Sequence, residues 1–371
     1  MRILLDIMSG DHAPGEILRG AVLAKREYDA DIIAVGDEAM IRSVAATDGL
    51  NLTGIEIVHA PSCLTMNDDP LSVVKEKQDS SMSMGLGMLA DGKGDAFVSA
   101  GNTGALVVGS TLIVRKIKGI LRAGFPALLP FETPCLLIDS GANIEVNAHQ
   151  MEQFAYMGAK YMEKVLGVTR PRVGLLNIGE EPGKGTETQR EAYAYLSDSG
   201  LNFVGNVEGK EIPNGVCDVL VTDGFTGNVL LKYTEGLGAF FAHTLKDLFQ
   251  TNMRTKIAYK SIEEKVSALK KAFDPSEYGG VPILGIAQPV IKAHGSSDAI
   301  AIKNAIRQAI SFASCGLNRD IAIYALGYEE NARIRAKTRA EMKKQQERAE
   351  KQARKLRNGN PAPEGEQTNE E

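Results

Sequence analysis

The sequence predicts an α/β fold in which a mostly parallel sheet lies between two layers of helices. Short apolar runs alternate with segments of helical periodicity from the N-terminus to about residue 225. Several of these runs are apolar throughout and bounded by Gly or Pro, which is typical of strands covered on both faces. The repeated strand–helix–strand order favours parallel strands joined by right-handed crossovers, so the expected architecture is a three-layer α/β/α unit.

Seven segments are predicted to be strands and four to be helices. The strands are Ile3–Ile7, Asp31–Val35, Asp95–Ser99, Cys135–Ile138, Arg172–Asn177, Asn202–Val204 and Asp218–Thr222. The helices are Glu16–Glu27, Leu71–Ala90, Ala148–Leu166 and Thr188–Leu196. Ligands of such sheets bind beyond the carboxyl ends of the strands, so the loops that follow the strands are the expected place of function.

Composition excludes several classes of protein. The 371 residues are 43% hydrophobic and 24% charged, as in ordinary globular proteins, and the net charge of −5 gives no overall attraction to nucleic acid. The four cysteines form no CxxC pair and have no histidine at metal-binding spacing, so we expect reduced thiols, no metal and a cytoplasmic location. No apolar run reaches about 18 residues and no cleavable signal is visible, which predicts no membrane span.

Loops of similar composition follow five of the predicted strands. Residues 8–14, 101–104, 139–143, 179–186 and 223–228 are rich in Gly and in amide, hydroxyl and carboxylate side chains. Glycine permits close backbone approach, and the N–H groups that open a helix point at anions. One such loop fits a structural turn, whereas five at one sheet edge favour an anion-binding crevice.

Several familiar motifs are absent or misplaced. The segment from Gly179 to Gly185 is one residue shorter than a P-loop, and Gly85 to Ala90 matches a dinucleotide fingerprint inside a predicted helix instead of after a strand. No Gly-x-Ser-x-Gly motif occurs, and no cysteine lies in a strand-end loop. We therefore expect no nucleotide cofactor and no covalent acyl-enzyme.

The motifs at these loops follow one another in a characteristic order: Asp6–Pro14, Ser99–Ala105, Asp139–Asn143, Asn177–Gly185, Gly205–Gly209, Thr222–Asn228, Tyr278–Gly285 and His294–Ser297. Together they closely resemble the bacterial acyl-ACP:phosphate acyltransferase family of phospholipid synthesis (ACP, acyl carrier protein), over residues 1 to about 325. The resemblance implies a fold similar to the isocitrate/isopropylmalate dehydrogenases and to phosphotransacetylase, as a homodimer without metal or nucleotide.

The resemblance also implies the reaction and its partners. Long-chain acyl-ACP and inorganic phosphate would give acyl phosphate and free ACP, which supplies acyl groups for glycerol-3-phosphate acylation. A peripheral position at the inner face of the cell membrane is implied as well, with the downstream acyl-phosphate:glycerol-3-phosphate acyltransferase as a candidate partner. No nucleic-acid partner is expected.

This chemistry needs no side-chain nucleophile, because phosphate attacks directly and a thiolate leaves readily. The enzyme has to orient two anionic reactants and stabilise a tetrahedral oxyanion. We predict that Lys184 neutralises phosphate and that Asn102, Thr103 and Asn228 donate hydrogen bonds. For Asp223 and Glu181, two roles stay open: accepting a proton or orienting Lys184, and a purely structural role. The further predicted substrate-binding residues are Gly10, His12, Ser99, Gly101, Gly141, Asn143, Gly227 and His294; for the two histidines a structural hydrogen bond is the alternative.

The domain prediction places a catalytic domain at 1–328 and a tail at 329–371. Within the domain, large apolar residues repeat at helical spacing over 236–273 with lysines around them, which predicts an inserted amphipathic helical hairpin. It would pack on the core or a second copy, or lie on the bilayer or on ACP. The tail has 11 Lys+Arg and 4 Glu over 330–357, followed by an acidic, Pro- and Gly-rich end. We expect a solvated helix and then disorder.

Three other functions remain open at this point. The first is a phosphate acetyltransferase that uses acetyl-CoA. The second is an NAD-dependent decarboxylating dehydrogenase, which would need metal-binding aspartates and several arginines for a di-acid, whereas the strand-end loops contain almost no arginine. The third is an inactive ACP-binding scaffold at the membrane, for which complete polar loops would be unnecessary.

Overall fold

Eleven strands form two sheets within the described residues. The computed structural model describes residues 1–28, 30–131, 133–250, 259–260, 279–328, 330 and 341. Its contacts divide the chain into two units, Met1–Ala322 and Ile323–Glu371. The strands and the cavity described below belong to the first unit.

The first sheet has six strands in the order β10-β11-β4-β1-β2-β3. Their bounds are β1 Arg2–Asp6, β2 Asp31–Gly36, β3 Ile55–His59, β4 Ala96–Ser99, β10 Gly280–Pro282 and β11 Val290–Ala293. All neighbours are parallel except β10, which pairs with β11 in the antiparallel direction. The other five strands are parallel, so their carboxyl ends lie at the same edge of the sheet, and β10 forms one side of the sheet.

The second sheet has five strands in the order β5-β6-β9-β7-β8. Their bounds are β5 Pro126–Leu129, β6 Cys135–Ile138, β7 Arg172–Asn177, β8 Asn202–Glu208 and β9 Val219–Val221. Again one edge strand, β5, is antiparallel to its neighbour β6, and the remaining pairs are parallel.

The prediction of a mostly parallel α/β fold is confirmed, but the expectation of one sheet is wrong. All seven predicted strands exist, and they divide between the sheets, with β1, β2 and β4 in the first and β6 to β9 in the second. Each sheet has its own buried cluster: Phe97 and Leu86 belong to that of the first, and Leu137 and Leu220 to that of the second. An apolar run indicates that a strand is buried but not which strand lies beside it, because strand pairing depends on segments that are far apart in the sequence.

The α-helices of the described residues include α1 Gly15–Glu27, α2 Glu38–Thr47, α3 Ser81–Ala90, α4 Thr103–Gly109, α5 Ala148–Lys164, α6 Glu187–Ser197, α7 Gly224–Gln250 and α8 Ala299–Ser314. Three of the four predicted helices are confirmed to within a few residues. The continuous helix over 71–90 is wrong, because a short 3₁₀ helix covers Pro70–Val74 and α3 begins only after Ser80. The Ser80 side chain accepts a hydrogen bond from the Ser83 N–H and so caps the start of α3.

The predicted hairpin is described only in its first half. Residues 236–250 are the second half of α7, a helix that starts at the sheet edge and not a separate element. Residues 251–278, apart from 259–260, lie outside the described residues. No helix within the described residues is long and apolar enough to span a bilayer.

The second unit contributes little described structure. Residues 323–328 are helical, and the rings of Tyr324 and Tyr328 lie 5.4 Å apart between centroids. The predicted tail at 329–371 lies outside the described residues except for Glu330 and Glu341. The predicted boundary at residue 328 stays a prediction, while the contact-based division falls after Ala322.

Candidate active site

A cavity of about 610 Å³ lies where loops of both sheets meet. Its polar lining includes Asp11, Thr103, Ser140, Asn228, Lys232, Glu235, Lys292 and His294. Its apolar lining includes Phe125, Ala127, Leu128, Pro130, Leu231 and Val281. A volume of this size lies in the range of small-molecule sites, and a few polar groups among apolar walls are typical of them.

Asp6 organises the wall that the first sheet contributes. The carboxylate is fully buried at the end of β1 and accepts hydrogen bonds from the hydroxyls of Ser81 (2.6 Å) and Ser99 (2.7 Å). Burial raises the pKa of Asp6, and the hydroxyl donors oppose that rise. One carboxylate therefore joins β1, the start of α3 and the end of β4.

The loop after β1 is held against the loop after β11. The Asp11 N–H donates to the Gly295 carbonyl oxygen at 2.8 Å. Gly10 has φ +120°, a conformation that a residue with a side chain rarely adopts. This tight turn brings Asp11 into the lining of the cavity.

Asp139 organises the wall that the second sheet contributes. Its buried carboxylate accepts from the N–H groups of Gly141 (3.1 Å), Ala142 (3.0 Å), Asn143 (2.8 Å) and Phe125 (3.1 Å). Burial raises the pKa of Asp139, while these donors oppose the rise. The loop after β6 is therefore wrapped around a single side chain, with Ser140 and Gly141 left facing the cavity.

Helix α7 begins against this loop. Asp223 accepts hydrogen bonds from the Thr226 N–H (2.7 Å) and hydroxyl (2.9 Å), as an N-cap residue does. A Cβ on Gly227 would collide with the Asp139 carbonyl oxygen, so only glycine permits this approach. The close packing places Asn228, one residue later, in the cavity lining.

Five of the residues predicted from the sequence line the cavity: Gly101, Thr103, Gly141, Asn228 and His294. Three others have side chains engaged in the supporting structure. The Asn102 amide donates to the Met66 carbonyl oxygen (3.0 Å) and accepts from the Ala105 N–H, and the Ser99 hydroxyl binds Asp6. The Asn143 amide donates to the Ala123 carbonyl oxygen at 2.8 Å.

Lys184 and Glu181 lie outside the described lining of the cavity. The Lys184 Nζ is 3.9 Å from the Glu181 carboxylate, and the two side chains are 51% and 70% exposed. Because β7 is the parallel neighbour of β9, their loop lies at the same sheet edge as the start of α7. The structure thus brings the loops after β1, β4, β6 and β9 to the cavity, while that after β7 contributes no lining residue.

The two predicted histidines differ in environment. His12 is exposed and does not line the cavity. The His294 Nδ1 accepts a hydrogen bond from the Ser296 N–H at 3.2 Å, which places the proton of the neutral ring on Nε2. Burial, with Lys292 and Lys232 nearby, lowers the pKa of His294. A neutral imidazole with a donor N–H is the form that this site favours.

Sequence reasoning missed Lys292. Its strand β11 was not predicted, and the side chain is only 7% exposed while lining the cavity. The Nζ donates to the carbonyl oxygens of Ala100 (3.3 Å) and Ala293. Burial lowers the pKa of Lys292 to about 8, against the opposing effect of Asp11 and Asp6. The available signal was a lysine inside the apolar run Val290–Ala293.

Within the described ranges, no three His, Cys, Asp or Glu residues are grouped to hold a metal ion. The described cysteines are all free, with the buried Cys135 and Cys217 sulfurs 3.8 Å apart. The lining as described thus consists of N–H, amide, hydroxyl, imidazole and ammonium donors with two carboxylates, Asp11 and Glu235, of which Glu235 is paired with Lys232.

Comparison with known proteins assigns both a family and a fold. A family model described as "Fatty acid synthesis protein" matches residues 1–319. A phosphate acyltransferase of Acetivibrio thermocellus is 44% identical over 315 residues, which cover 84% of this chain and 93% of that protein. Among solved structures, a phosphotransacetylase from Streptococcus pyogenes has a similar fold, with a TM-score of 0.57, 18% identity and coverage of 84% and 94% of the two chains.

A second structural neighbour extends the likeness of the fold. A putative 4-hydroxythreonine-4-phosphate dehydrogenase from Salmonella typhimurium matches with a TM-score of 0.50 and 11% identity, over 84% of this chain and 98% of the other. At this identity the likeness concerns the fold alone. The expected similarity to the phosphotransacetylase fold is confirmed, and a dehydrogenase-like fold is supported by this neighbour, while the likeness to isocitrate/isopropylmalate dehydrogenases stays a prediction.

Proposed function

The chain belongs to the phosphate acyltransferase family and is an acyltransferase, and on this premise we propose that it transfers a long-chain acyl group from acyl-ACP to inorganic phosphate. The products are acyl phosphate and free ACP, and acyl phosphate then serves the acylation of glycerol 3-phosphate. The observation that carries the proposal is that hydrogen-bond donors from strand-end loops of both sheets line one cavity together with an apolar wall.

The proposed step balances without a cofactor or a side-chain nucleophile. An oxygen of hydrogen phosphate attacks the thioester carbonyl carbon and forms the new C–O bond. The tetrahedral oxyanion collapses, the C–S bond breaks, and the proton of hydrogen phosphate passes to the departing thiolate of ACP. The protein has to hold both reactants in line and offer fixed donors to the oxyanion, which is how electrostatic preorganisation lowers such barriers.

Donors in the cavity suit these tasks. We assign Asn228, Thr103 and the neutral His294 to the phosphate and the oxyanion, because all three line the cavity. The Gly101 and Gly141 backbones provide space for close approach. Asn102, Asn143, Ser99 and Asp223 support these loops through the contacts described above. Gly10 and Gly227 set the loop geometry.

For Lys184 and Glu181 we propose a role outside the cavity, in attracting the reactants. They come from the loop beside β9 and stand at the edge of the second sheet, exposed and outside the cavity lining. From there Lys184 would attract the anionic reactants rather than hold phosphate in the bound state, with Glu181 orienting it. His12, exposed on the loop after β1, has the corresponding position on the first sheet.

The apolar wall favours a long-chain donor over acetyl-CoA. Phe125, Ala127 and Leu128 from the β5 segment and Val281 from β10 line the same cavity as the phosphate-binding donors. An acetyl group would leave these surfaces unburied, whereas a long chain covers them and gains about 25 cal/mol per Å² removed from water. The dehydrogenase alternative would need a di-acid site with arginines, and no arginine lines this cavity among the described residues.

Incubation with phosphate and either palmitoyl-ACP or acetyl-CoA tests the proposed function. Acyl phosphate trapped with hydroxylamine is expected with palmitoyl-ACP and not with acetyl-CoA. In Ala127→Phe the larger side chain should fill part of the apolar wall and shift kcat/KM towards shorter acyl donors by at least about tenfold, since about two buried methylenes are worth that much. Product from acetyl-CoA alone, or none from either donor, would overturn the proposal.

We also propose a homodimer, supported by the exposed apolar face of α7. Its large apolar side chains recur every three or four residues over most of the face and remain 39–67% exposed: Phe225, Val229, Tyr233, Leu237, Phe240, Phe241 and Leu248. A helix face of this kind is normally covered. Sedimentation should show a dimer that Phe241→Asp dissociates, while Lys246→Asp on the same helix serves as the charge control.

We further propose peripheral association with the inner face of the cell membrane and with the downstream acyltransferase. Its sequence basis is the set of lysines 256, 260, 265, 270 and 271, most of which lie outside the described residues. Flotation with vesicles of anionic phospholipid should be lost on charge reversal of Lys270 and Lys271. Unchanged flotation of that variant would remove the membrane from the proposal.

A further inference from the structure

We propose that Lys292 is a catalytic residue of this chain, whose ammonium group binds the inorganic phosphate in the cavity and stays beside it as the acyl group is transferred. The inference rests on the phosphate acyl transfer proposed above and deepens it. It assigns the positive charge of the phosphate site to a buried residue on the first sheet, and not to the exposed Lys184 of the second.

The position of Lys292 follows from strand pairing. β11 runs parallel to β4, and Lys292 is the register partner of Ser99. The side chain therefore lies beside the backbone that leads into Gly101 and Thr103, both of which line the cavity. The buried cation and this glycine-containing loop therefore line the same cavity, where the ammonium group can donate a charge-assisted hydrogen bond to an oxyanion such as phosphate.

The hydrogen bonds of Lys292 leave room for a ligand. An ammonium group has three N–H donors. Two are directed to the carbonyl oxygens of Ala100 and Ala293. The third is available to a phosphate oxygen in the cavity that Lys292 lines. The two carbonyl contacts fix the Nζ position, so little side-chain freedom remains to be lost when phosphate binds.

The charge of Lys292 is not neutralised by an ion pair among the described residues. Asp11 and Asp6 act on it through space, but its hydrogen bonds go to backbone oxygens. A buried cation without a directly bonded carboxylate is costly, since desolvation opposes the charged form. A buried group of this kind in a cavity is characteristic of functional sites, and an anionic ligand would supply the missing partner.

The other lysine in the cavity lining is less suited to this role. Lys232 of α7 is 59% exposed and bound to Glu235 at 2.8 Å, so its charge is already compensated and screened by solvent. Lys184 lies outside the lining and is 51% exposed. Within the described lining, Lys292 is thus the buried cation.

Loss of the Lys292 proton should make phosphate binding depend on pH. Its pKa of about 8 means that the ammonium form, which binds phosphate, is lost as pH rises through that value. The charged neighbours are Asp6 and Asp11 from β1 and its loop, and His294 on its own segment. β4 and β10 carry no titratable side chain, and on α8 Lys303 is paired with Glu27 while Arg307 is exposed.

The first experiment measures binding of inorganic phosphate to the full chain by calorimetry at pH 7. Lys292→Met keeps the length of the side chain and removes the charge. We expect the Kd for phosphate to rise at least about tenfold, the effect of losing one hydrogen bond to a charged group. Lys116→Met is the matched control, because Lys116 is also partly buried and donates to a backbone carbonyl, that of Leu121, outside the cavity. Circular dichroism establishes that both variants are folded.

The second experiment follows the wild-type protein from pH 7 to 10 and needs no variant to fold. Phosphate affinity should fall above pH about 8, a range in which phosphate itself stays a dianion. In Lys292→Arg, whose guanidinium does not titrate there, the profile should be flat. A purely structural lysine would give no such change.

Measurements of phosphate binding and of acyl phosphate formation distinguish the proposed role of Lys292 from the proposed function. If wild type makes acyl phosphate while Lys292→Met retains the wild-type Kd for phosphate, the role of Lys292 is overturned and the proposed function stands. Loss of phosphate binding in Lys292→Met, with Lys116→Met unchanged, supports the role whichever acyl donor is used. Failure of the wild type to bind phosphate at all overturns it.

Discussion

The two walls of the cavity are built on the same residue type in different ways. In the first sheet Asp6 accepts from side chains far along the chain, the hydroxyls of Ser81 and Ser99. In the second sheet Asp139 accepts mostly from the backbone of its own loop, up to Asn143. Both carboxylates are buried and both have a raised pKa because of that burial.

The difference shows that a buried aspartate at a strand end can either hold separate elements together or fix the conformation of its own loop. Asp6 holds three elements together, so that Lys292 and the loops after β1 and β4 meet. Asp139 gives one loop its form and turns Gly141 towards Asn228. The first wall accordingly supplies fixed charge, and the second supplies oriented neutral donors.

The largest effect is expected from Asp139→Ala. The variant leaves four N–H groups and the Asn143 amide without their acceptor, which should lower the free energy of unfolding by at least about 3 kcal/mol and nearly abolish turnover. Urea denaturation and initial rates measure both. Asp139→Asn, which keeps one acceptor oxygen, should lose less, and equal losses in the two variants would refute this account of the loop.

Asp6→Ala should cost less, about 2 kcal/mol, because two hydroxyls lose an acceptor and can turn to other partners. Hydrogen exchange distinguishes the two walls. The Asp6 variant should accelerate exchange at the start of α3 and the end of β4, and the Asp139 variant mainly at residues 141–143. If accelerated exchange in the Asp6 variant were confined to residues 7–11, Asp6 would act only on its own loop, as Asp139 does, and the proposed difference between the walls would be wrong.

A glycine with positive φ lies in the loop of each wall, and its replacement by alanine compares how tightly the two loops are packed. Gly10 has φ +120° and Gly141 φ +138°, so an alanine at either costs about 1–3 kcal/mol. A Cβ on Gly10 would also lie 3.1 Å from the Ala100 Cβ, whereas at Gly141 the nearest atom is 3.6 Å away. Thermal unfolding should therefore show the greater loss for Gly10→Ala. The opposite order would mean that the second wall is the more tightly packed.

The smallest effect is the pH dependence of stability. Because the folded pKa of Asp6 is raised above 3.8 by burial, the folded state binds more protons there than the unfolded state, and its contribution to stability falls as pH rises through that window. Relative to Asp6→Asn, the wild type should lose stability on going up from about pH 3.8.

Asp68 provides the control of opposite sign. Its hydrogen bond from Lys77 lowers the pKa of Asp68 to about 2, so the wild type should lose its advantage over Asp68→Asn as pH falls from 3.8 towards 2. Urea unfolding over a pH series measures both differences. The same sign for the two variants would contradict the assignment of burial as the dominant cause at Asp6.

Much of the fold was accessible from the sequence. The apolar runs gave all seven predicted strands, and the polar loops after them included Gly101, Thr103, Gly141 and Asn228, which line the cavity. Four strands were not predicted, β3, β5, β10 and β11, and the first three are edge strands. An edge strand is less completely covered than a central strand, so it does not show the continuous apolar run that identifies a strand buried on both faces, and Lys292 interrupts the run of β11.

The site was accessible only in part. The signal of a glycine-rich loop is local, so the loops after β4 and β6 were found. Whether a loop reaches the cavity depends on distant parts of the chain, and the predicted Lys184 belongs to a loop that contributes no lining residue. Lys292 was overlooked because a lysine in an apolar run looks like a surface residue until the neighbouring strand is known.

By itself, the sequence determined the class of fold, the positions of most strands, the composition of their loops and the family. The tertiary structure alone decided that the strands form two sheets, that β11 lies beside β4, and that Lys292 is buried in the cavity while Lys184 remains exposed. Side-chain periodicity is set by neighbours a few residues away, whereas pairing, burial and the pKa of a buried cation are set by residues that lie near only after folding.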